Sequence, residues 1–366
     1  MANLVTESFD WFPAGQNSTE RAFLWGANNF FYQASIAGQG PADVVTGRFG
    51  YGQAAYFSAN ASVNGFSYVI PFGAPIVTGF IGCAMFIYPA NTSMPLIQLF
   101  DSVNNTCQVT ISFEPNGVIK AYQGNGRGGL LYAASYAGVY QQDEWFHVEI
   151  KGTIDAVSGY VEVRINTVPV LSISGIDTKV SAVTGFDSIV IGDNASHWNG
   201  ATLAVAYDDL FVNDTSGSSN NSWSGNLRIF GAFMIANGAT DNFTIGGSSP
   251  APTNWQSVLN QALDDTKYVY SSTVGNIDLY EPNPVVTGPL VRALQVRMAL
   301  RQDDATQRVA RAQLRIGTTV YSGVVDQYTN QTYTLYKERW NLSPATGVTF
   351  TGSEVNGLQA GVKVQA

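Results

Sequence analysis

The sequence predicts an all-β protein built from two sandwich domains. Three observations carry that reading. Charged residues make up only 12% of the chain, glycines number 37, and short apolar runs alternate with polar residues at a period of two. Helix surfaces are normally built from Glu, Lys and Arg, which are scarce here. Apolar runs separated by Gly, Asn, Ser and Thr are the pattern of strands joined by turns.

The clearest strand is Tyr160–Asn166, in which Val161, Val163 and Ile165 share one face and Glu162 and Arg164 the other. The preceding run places Phe146, Val148 and Ile150 inward and His147, Glu149 and Lys151 outward into water. Further runs at 80–88, 96–100, 108–113, 118–122, 188–192 and 203–207 lie between Asn, Gly, Pro and Asp clusters, a spacing that suits antiparallel sheets. The polar stretch 213–222 has too few apolar residues to pack, so the domains are expected at 1–215 and 216–366. In the second, Thr253 and Gln256 form an imperfect capping box for one short helix, and strands follow at 268–272, 277–280, 290–301, 307–316, 319–325 and 332–341.

A net charge of −9 argues against nucleic acid as a partner, since phosphate recognition needs a basic face. Residues 1–215 carry 7 basic and 17 acidic side chains, whereas residues 216–366 carry 11 and 10. On the two long strands of the second domain, Arg297, Arg301, Arg311 and Arg315 oppose apolar faces. Paired as a hairpin across 303–305, they would form one cationic patch for an acidic partner, such as the first domain of a neighbouring copy; the alternative is a merely solvated face. Cys83 and Cys107 match no zinc pattern and read as buried free thiols. No secretory signal and no bilayer-length apolar run is visible, so membrane insertion is not expected.

The usual catalytic signatures are missing. There are two histidines, no nucleophile elbow and no phosphate loop. His147 reads as a surface residue. Gly124–Gly129 fits a dinucleotide fingerprint but is followed by no βαβ unit, so it reads as a hairpin loop. The adjacent acids Asp208 and Asp209 would point to opposite sides of an extended strand, which leaves sugar cleavage without paired carboxylates. No cofactor or metal is called for, although Asp193, Asp208 and Asp209 are oxygen ligands of the kind calcium takes. Sugar binding needs an aromatic platform and amide or carboxyl partners, and Asp193, Asn194, His197, Trp198 and Asn199 offer both in one loop. The alternative is that Trp198 covers a sandwich edge.

Several segments together resemble a known family. Val45–Ala54, Glu144–Ile150, Gly159–Asn166 and Tyr207–Asp214 are similar in order and spacing to the concanavalin A-like, laminin-G-like jelly roll. With Gly225–Ile229, Asn254–Val269 and Val355–Val364, the chain resembles a group of tailed-bacteriophage virion proteins. The resemblance implies an N-terminal concanavalin A-like jelly roll followed by a second β-rich sandwich with one short helix. It also implies Trp145 in the core, Gly159 in a hairpin turn and Asp208–Asp209 on a strand that closes the sandwich. The implied role is a non-enzymatic particle component made in the host cytoplasm, at a tail fibre, baseplate or head spike. Its partners would be other virion proteins, identical copies and host-surface polysaccharide. A purely structural decoration subunit and a polysaccharide depolymerase are the alternatives.

Overall fold

The computed structural model describes residues 3–10, 31–34, 43–50, 52–59, 66–126, 129–192, 203–259, 265–284, 288, 290–304 and 306–366. The chain forms two compact units, Met1–Ile229 and Phe230–Ala366. Both are β-sandwiches.

The strands of the first unit are β1 (Asn3–Glu7), β2 (Phe31–Ala34), β3 (Asp43–Thr46), β4 (Gln53–Ala59), β5 (Phe66–Ile76), β6 (Thr78–Ile87), β7 (Met94–Asp101), β8 (Thr106–Phe113), β9 (Ile119–Gln123), β10 (Leu131–Ala134), β11 (Trp145–Thr153), β12 (Gly159–Ile165), β13 (Val168–Ile176), β14 (Phe186–Gly192) and β15 (Leu203–Asp214). They form two antiparallel sheets of the jelly-roll type. Sheet A runs β13-β12-β11-β6-β15-β4-β3, with β1 also on β15; sheet B runs β10-β9-β8-β7-β14-β5-β2. Alternation turns one side of each sheet into a shared core of Ile81, Cys83, Met85, Val148, Ile150, Val161 and Val163 from sheet A, facing Ile97, Leu99, Val109, Ile111, Ile189 and Ile191 from sheet B. Each fully buried Val, Leu, Ile or Phe contributes about 1.5–3 kcal/mol. Tyr207 crosses this core, donating to the Leu96 carbonyl (2.9 Å) and accepting from Gly192 N–H (3.1 Å), so its hydroxyl is satisfied despite full burial.

Strand β15 changes parity midway. Val205 and Tyr207 face the core, and so do Leu210 and Val212, which an unbroken strand could not achieve. A bulge at Asp208–Asp209 absorbs the extra residue, with Asp209 at φ +54°.

Cys83 and Cys107 are buried and free. Burial pushes the Cys107 thiol up to about 12. The loop after β9 is the hairpin connection that its glycines suggest, with Gly124 and Gly126 at positive φ.

The second unit contains β16 (Met234–Asp241), β17 (Thr244–Gly246), helix α1 (Asn254–Val258), β18 (Tyr268–Tyr270), β19 (Ile277–Pro282), β20 (Leu290–Val291), β21 (Leu294–Leu300), β22 (Val309–Ile316), β23 (Thr319–Ser322), β24 (Gln327–Tyr328), β25 (Thr334–Trp340), β26 (Phe350–Thr351), helix α2 (Gly352–Asn356) and β27 (Gln359–Val364). A six-stranded sheet, β16-β19-β27-β22-β23 with β24 on β22, packs against the β21–β25 ribbon. Val296, Met298 and Trp340 of the ribbon meet Ala312, Leu314, Ala360 and Val362 of the sheet. Helix α1 starts where the sequence suggests, but the Thr253 side chain caps no backbone N–H and instead donates to Gln256 Oε1 (2.8 Å). Helix α2, which was not expected, has the complete capping box between Thr351 and Glu354.

Three expectations are corrected here. His147 and Glu149 lie on the outward side of sheet A yet are only 0% and 1% exposed, because residues 223–229 strap across that side. Trp145 is half-buried on the same outward side, edge-on to Phe86 at 5.6 Å, and is not a core residue. Strands β21 and β22 do not form a hairpin: β21 pairs with β25, and β22 pairs with β27, β23 and β24.

Candidate functional site

The outward side of sheet B gathers the groups that sugar recognition requires. Because Ile97 and Leu99 point into the core, Gln98 between them points out. The same parity sends Thr110 and Ser112 of β8 and Lys120 and Tyr122 of β9 outward. Cross-strand pairing aligns Leu131, Tyr122, Thr110 and Gln98 in one row, and Lys120 with Ser112 in the next. Leu131 is exposed and Tyr122 half-exposed, giving an apolar and aromatic surface beside polar groups.

At the rim, Glu114 organises the polar groups. Its Oε1 accepts from Ser93 Oγ (2.6 Å) and lies 3.3 Å from Lys120 Nζ. Ser93 and Ser112 hydroxyls are 2.8 Å apart. The Tyr140 hydroxyl donates to the Glu114 carbonyl (2.5 Å), which fixes the base of the loop. Thr110 Oγ1 donates to the Gly124 carbonyl (2.6 Å). Gln98 Oε1 and Ser67 Oγ, both buried on this side of the sheet, have no hydrogen-bond partner among the described residues. Both are buried together with Thr110, Ser112, Val69, Phe100, Cys107 and Val190, so this part of the outward side is covered, and the open part is the edge formed by β9 and β10. At this edge the Glu114 carboxylate can accept hydrogen bonds from a bound molecule and the Lys120 ammonium can donate them.

The sequence-predicted loop Asp193, Asn194, His197, Trp198 and Asn199 lies outside the described residues. It leaves β14 at Gly192, which pairs with Ser67. The predicted arginine patch is not assembled as a hairpin face. Arg301 bonds Asp265 (3.1 Å) and stacks on Tyr333, and Arg311 pairs with Asp326. Gln98, Glu114, Lys120 and Tyr122 were missed by sequence reasoning, although outward parity in runs already recognised as strands was the available signal.

A second cluster of charge lies on the outward side of sheet A. The bulge turns Asp208 and Asp209 toward one partner, correcting the expectation that they diverge. Arg48 N–H donates to Asp208 Oδ2 (2.9 Å), and the Arg48 guanidinium is 3.7 Å from Asp209 and 2.6 Å from Asn226 Oδ1. The Ile229 N–H donates to Asp209 Oδ1 (2.7 Å). Burial raises both carboxyls above the ordinary range, and the adjacent Asp209 charge adds to the rise at Asp208. The exposed Phe49 ring has the Arg48 and Arg228 guanidiniums at 4.7 and 4.8 Å from its centroid. Nearby, Ser224 and Gly225 N–H groups donate to Glu149, and Trp223 packs on Phe80 under the Arg164 guanidinium. This arrangement clamps the strap; its acids are enclosed by protein and present no surface to a substrate. Among the described residues no group of His, Cys, Asp and Glu could hold a metal, and no helix is long and apolar enough to cross a membrane.

No family model matches the chain, and no curated protein matches it. It is similar in structure to a sialidase at 11% identity and a TM-score of 0.41, over 58% of this chain and 18% of that one. Alginate lyase Aly36B is similar at 12% identity and 0.37, covering 57% of this chain and 96% of the lyase. A carbohydrate esterase from a Shiga toxin-encoding bacteriophage is similar at 17% identity and 0.35, covering 50% and 89%. The chain thus spans about a fifth of the sialidase's length. These three solved structures are of enzymes that act on carbohydrate. The expectation of a protein without enzymatic activity is withdrawn on that finding.

Proposed function

We propose that this chain is a carbohydrate-active component of a tailed-bacteriophage particle, engaging host-surface glycan through the outward side of sheet B. The observation that carries the glycan reading is the cross-strand pairing of exposed Leu131 with half-exposed Tyr122. This pair lies one row from Lys120, which is 3.3 Å from Glu114, itself bonded by the Ser93 hydroxyl. An aromatic surface with a few fixed polar groups is how proteins hold a sugar ring and orient its hydroxyls. The particle assignment rests on the segments that resemble phage virion proteins, three of which meet at Arg48 through Asp208 and Asn226. Copies repeated around the symmetry axis of a particle make weak contacts effective through avidity.

The test is binding of the purified chain to a polysaccharide panel, with assay for new reducing ends and immunogold labelling of particles. Leu131→Ser and Tyr122→Ala are expected to weaken binding at least tenfold while leaving the circular dichroism spectrum unchanged. Unaltered binding in both variants moves the site elsewhere, and unlabelled particles remove the virion assignment.

A further inference from the structure

The electrostatics of the sheet B face restrict which glycan it can take. Lys120 is the one cation among the described residues of that face, and Glu114 lies 3.3 Å from it. The ammonium therefore meets its opposite charge inside the protein. Farther along the same sheet stand two more carboxylates, Asp101 and Asp187, each held by hydrogen bonds from Ser102, Asn104 or Ser181. Residues 1–229 as a whole carry 8 basic and 17 acidic side chains, a net charge of −9. A polyanion approaching this unit meets a repulsive field, with no uncompensated cation among the described residues of the face to reward contact.

A donor and an acceptor side by side have a natural match. Two neighbouring hydroxyls of a sugar ring can do both jobs: one donates to the Glu114 carboxylate while the other accepts from the Lys120 ammonium. Charge-assisted hydrogen bonds of this kind are stronger than neutral ones, and neither needs a charge on the ligand. The half-buried Ser93 hydroxyl, which donates to Glu114, extends the same pattern.

We infer that the glycan recognised by this face is an uncharged polysaccharide, held by a vicinal diol bridging Glu114 and Lys120, and not a uronate- or sialate-bearing polyanion. The inference rests on the glycan-binding reading above and names its substrate class.

Affinity electrophoresis of the intact chain through gels containing dextran, mannan, alginate or polygalacturonate, at 20 and 500 mM NaCl, tests it. Retardation by a neutral polysaccharide is expected, changing less than twofold with salt. Glu114→Gln and Lys120→Met are each expected to reduce it at least tenfold. Retardation by alginate or polygalacturonate that weakens with salt, and that strengthens in Glu114→Gln because Lys120 is released, overturns the inference and leaves the glycan reading standing. Passage through every gel unretarded, at both salt concentrations, overturns the glycan reading as well.

Discussion

Arg48 and Asp208 stand 160 residues apart in the chain and are joined by a backbone hydrogen bond of 2.9 Å, from Arg48 N–H to Asp208 Oδ2. The same arginine's side chain reaches Asp209 and Asn226. One residue thereby fastens the turn after β3, the bulge of β15 and the strap to each other.

Removing that side chain leaves Asp209 buried without its cation. Arg48→Met is expected to cost about 3–5 kcal/mol, the range for breaking a buried ion pair from one side. Urea unfolding of the full chain, monitored by tryptophan fluorescence as Trp223 loses its packing, measures it. A loss under about 1 kcal/mol would show that the cluster is solvated and not a clamp.

The bulge acids set an alkaline limb of stability. Their carboxyls lie above the ordinary value in the fold because they are buried. Their contribution is therefore complete below about pH 4, the unfolded value, and is lost as pH rises through the raised folded values. Thermal midpoints are expected to fall between pH 5 and 9. Asp208→Asn, which can still accept from Arg48 N–H, should flatten that fall.

His147 acts in the opposite direction. Burial, with the Arg48 charge added, lowers it to about 3, and neither ring nitrogen has a hydrogen-bond partner among the described residues. The unfolded chain takes up a proton near pH 6.5 that the folded chain refuses, so stability is lost as pH falls from there toward 3. The full effect is on the order of 5 kcal/mol. His147→Phe keeps the stack on Phe211 (6.1 Å), and is expected to remove the acid limb and raise stability at neutral pH by about 1–3 kcal/mol. Titration of the wild-type imidazole by NMR near pH 6.5 would contradict this account.

Close packing is tested at Gly82. An added Cβ would come within 2.1 Å of the Phe211 ring. Gly82→Ala is expected to cost about 1–3 kcal/mol by overpacking, and Phe211→Leu in the same chain to recover part of it, as a double-mutant cycle would show.

In the second unit, Thr351→Ala removes the side-chain cap of α2. A loss of about 1 kcal/mol is expected, read from chemical denaturation of the full chain.

Period-two alternation made strand faces legible in the sequence. Val161, Val163 and Ile165 are buried as expected, and so are Val296 and Met298. Alternation says which residues share a side but not what will cover it, so His147 and Glu149 looked wet until the strap was placed over them. Nor does it select partners. The hairpin expected of β21 and β22 gives way to pairing with β25 and β27, strands much later in the chain. The bulge had a trace that went unread: the apolar parity of Val205 and Tyr207 breaks at Asp208–Asp209 and resumes at Leu210 and Val212. Of the candidate site, each polar residue's outward direction was legible. Their convergence depended on the register of the consecutive strands β7, β8 and β9, which includes a bulge between Leu99 and Phe100.

The strap also decides where this protein can be dissected. Composition suggests a cut after residue 215, but the N–H donors of Ser224, Gly225 and Ile229 and the amide of Asn226 belong to partners deep in the first unit. A fragment ending at 215 would leave Glu149 and Asp209 stripped of those donors and the Phe80 ring open to water, inviting self-association. One ending at 229 retains them all. The contacts of the first compact unit therefore run on past the polar stretch, to Ile229.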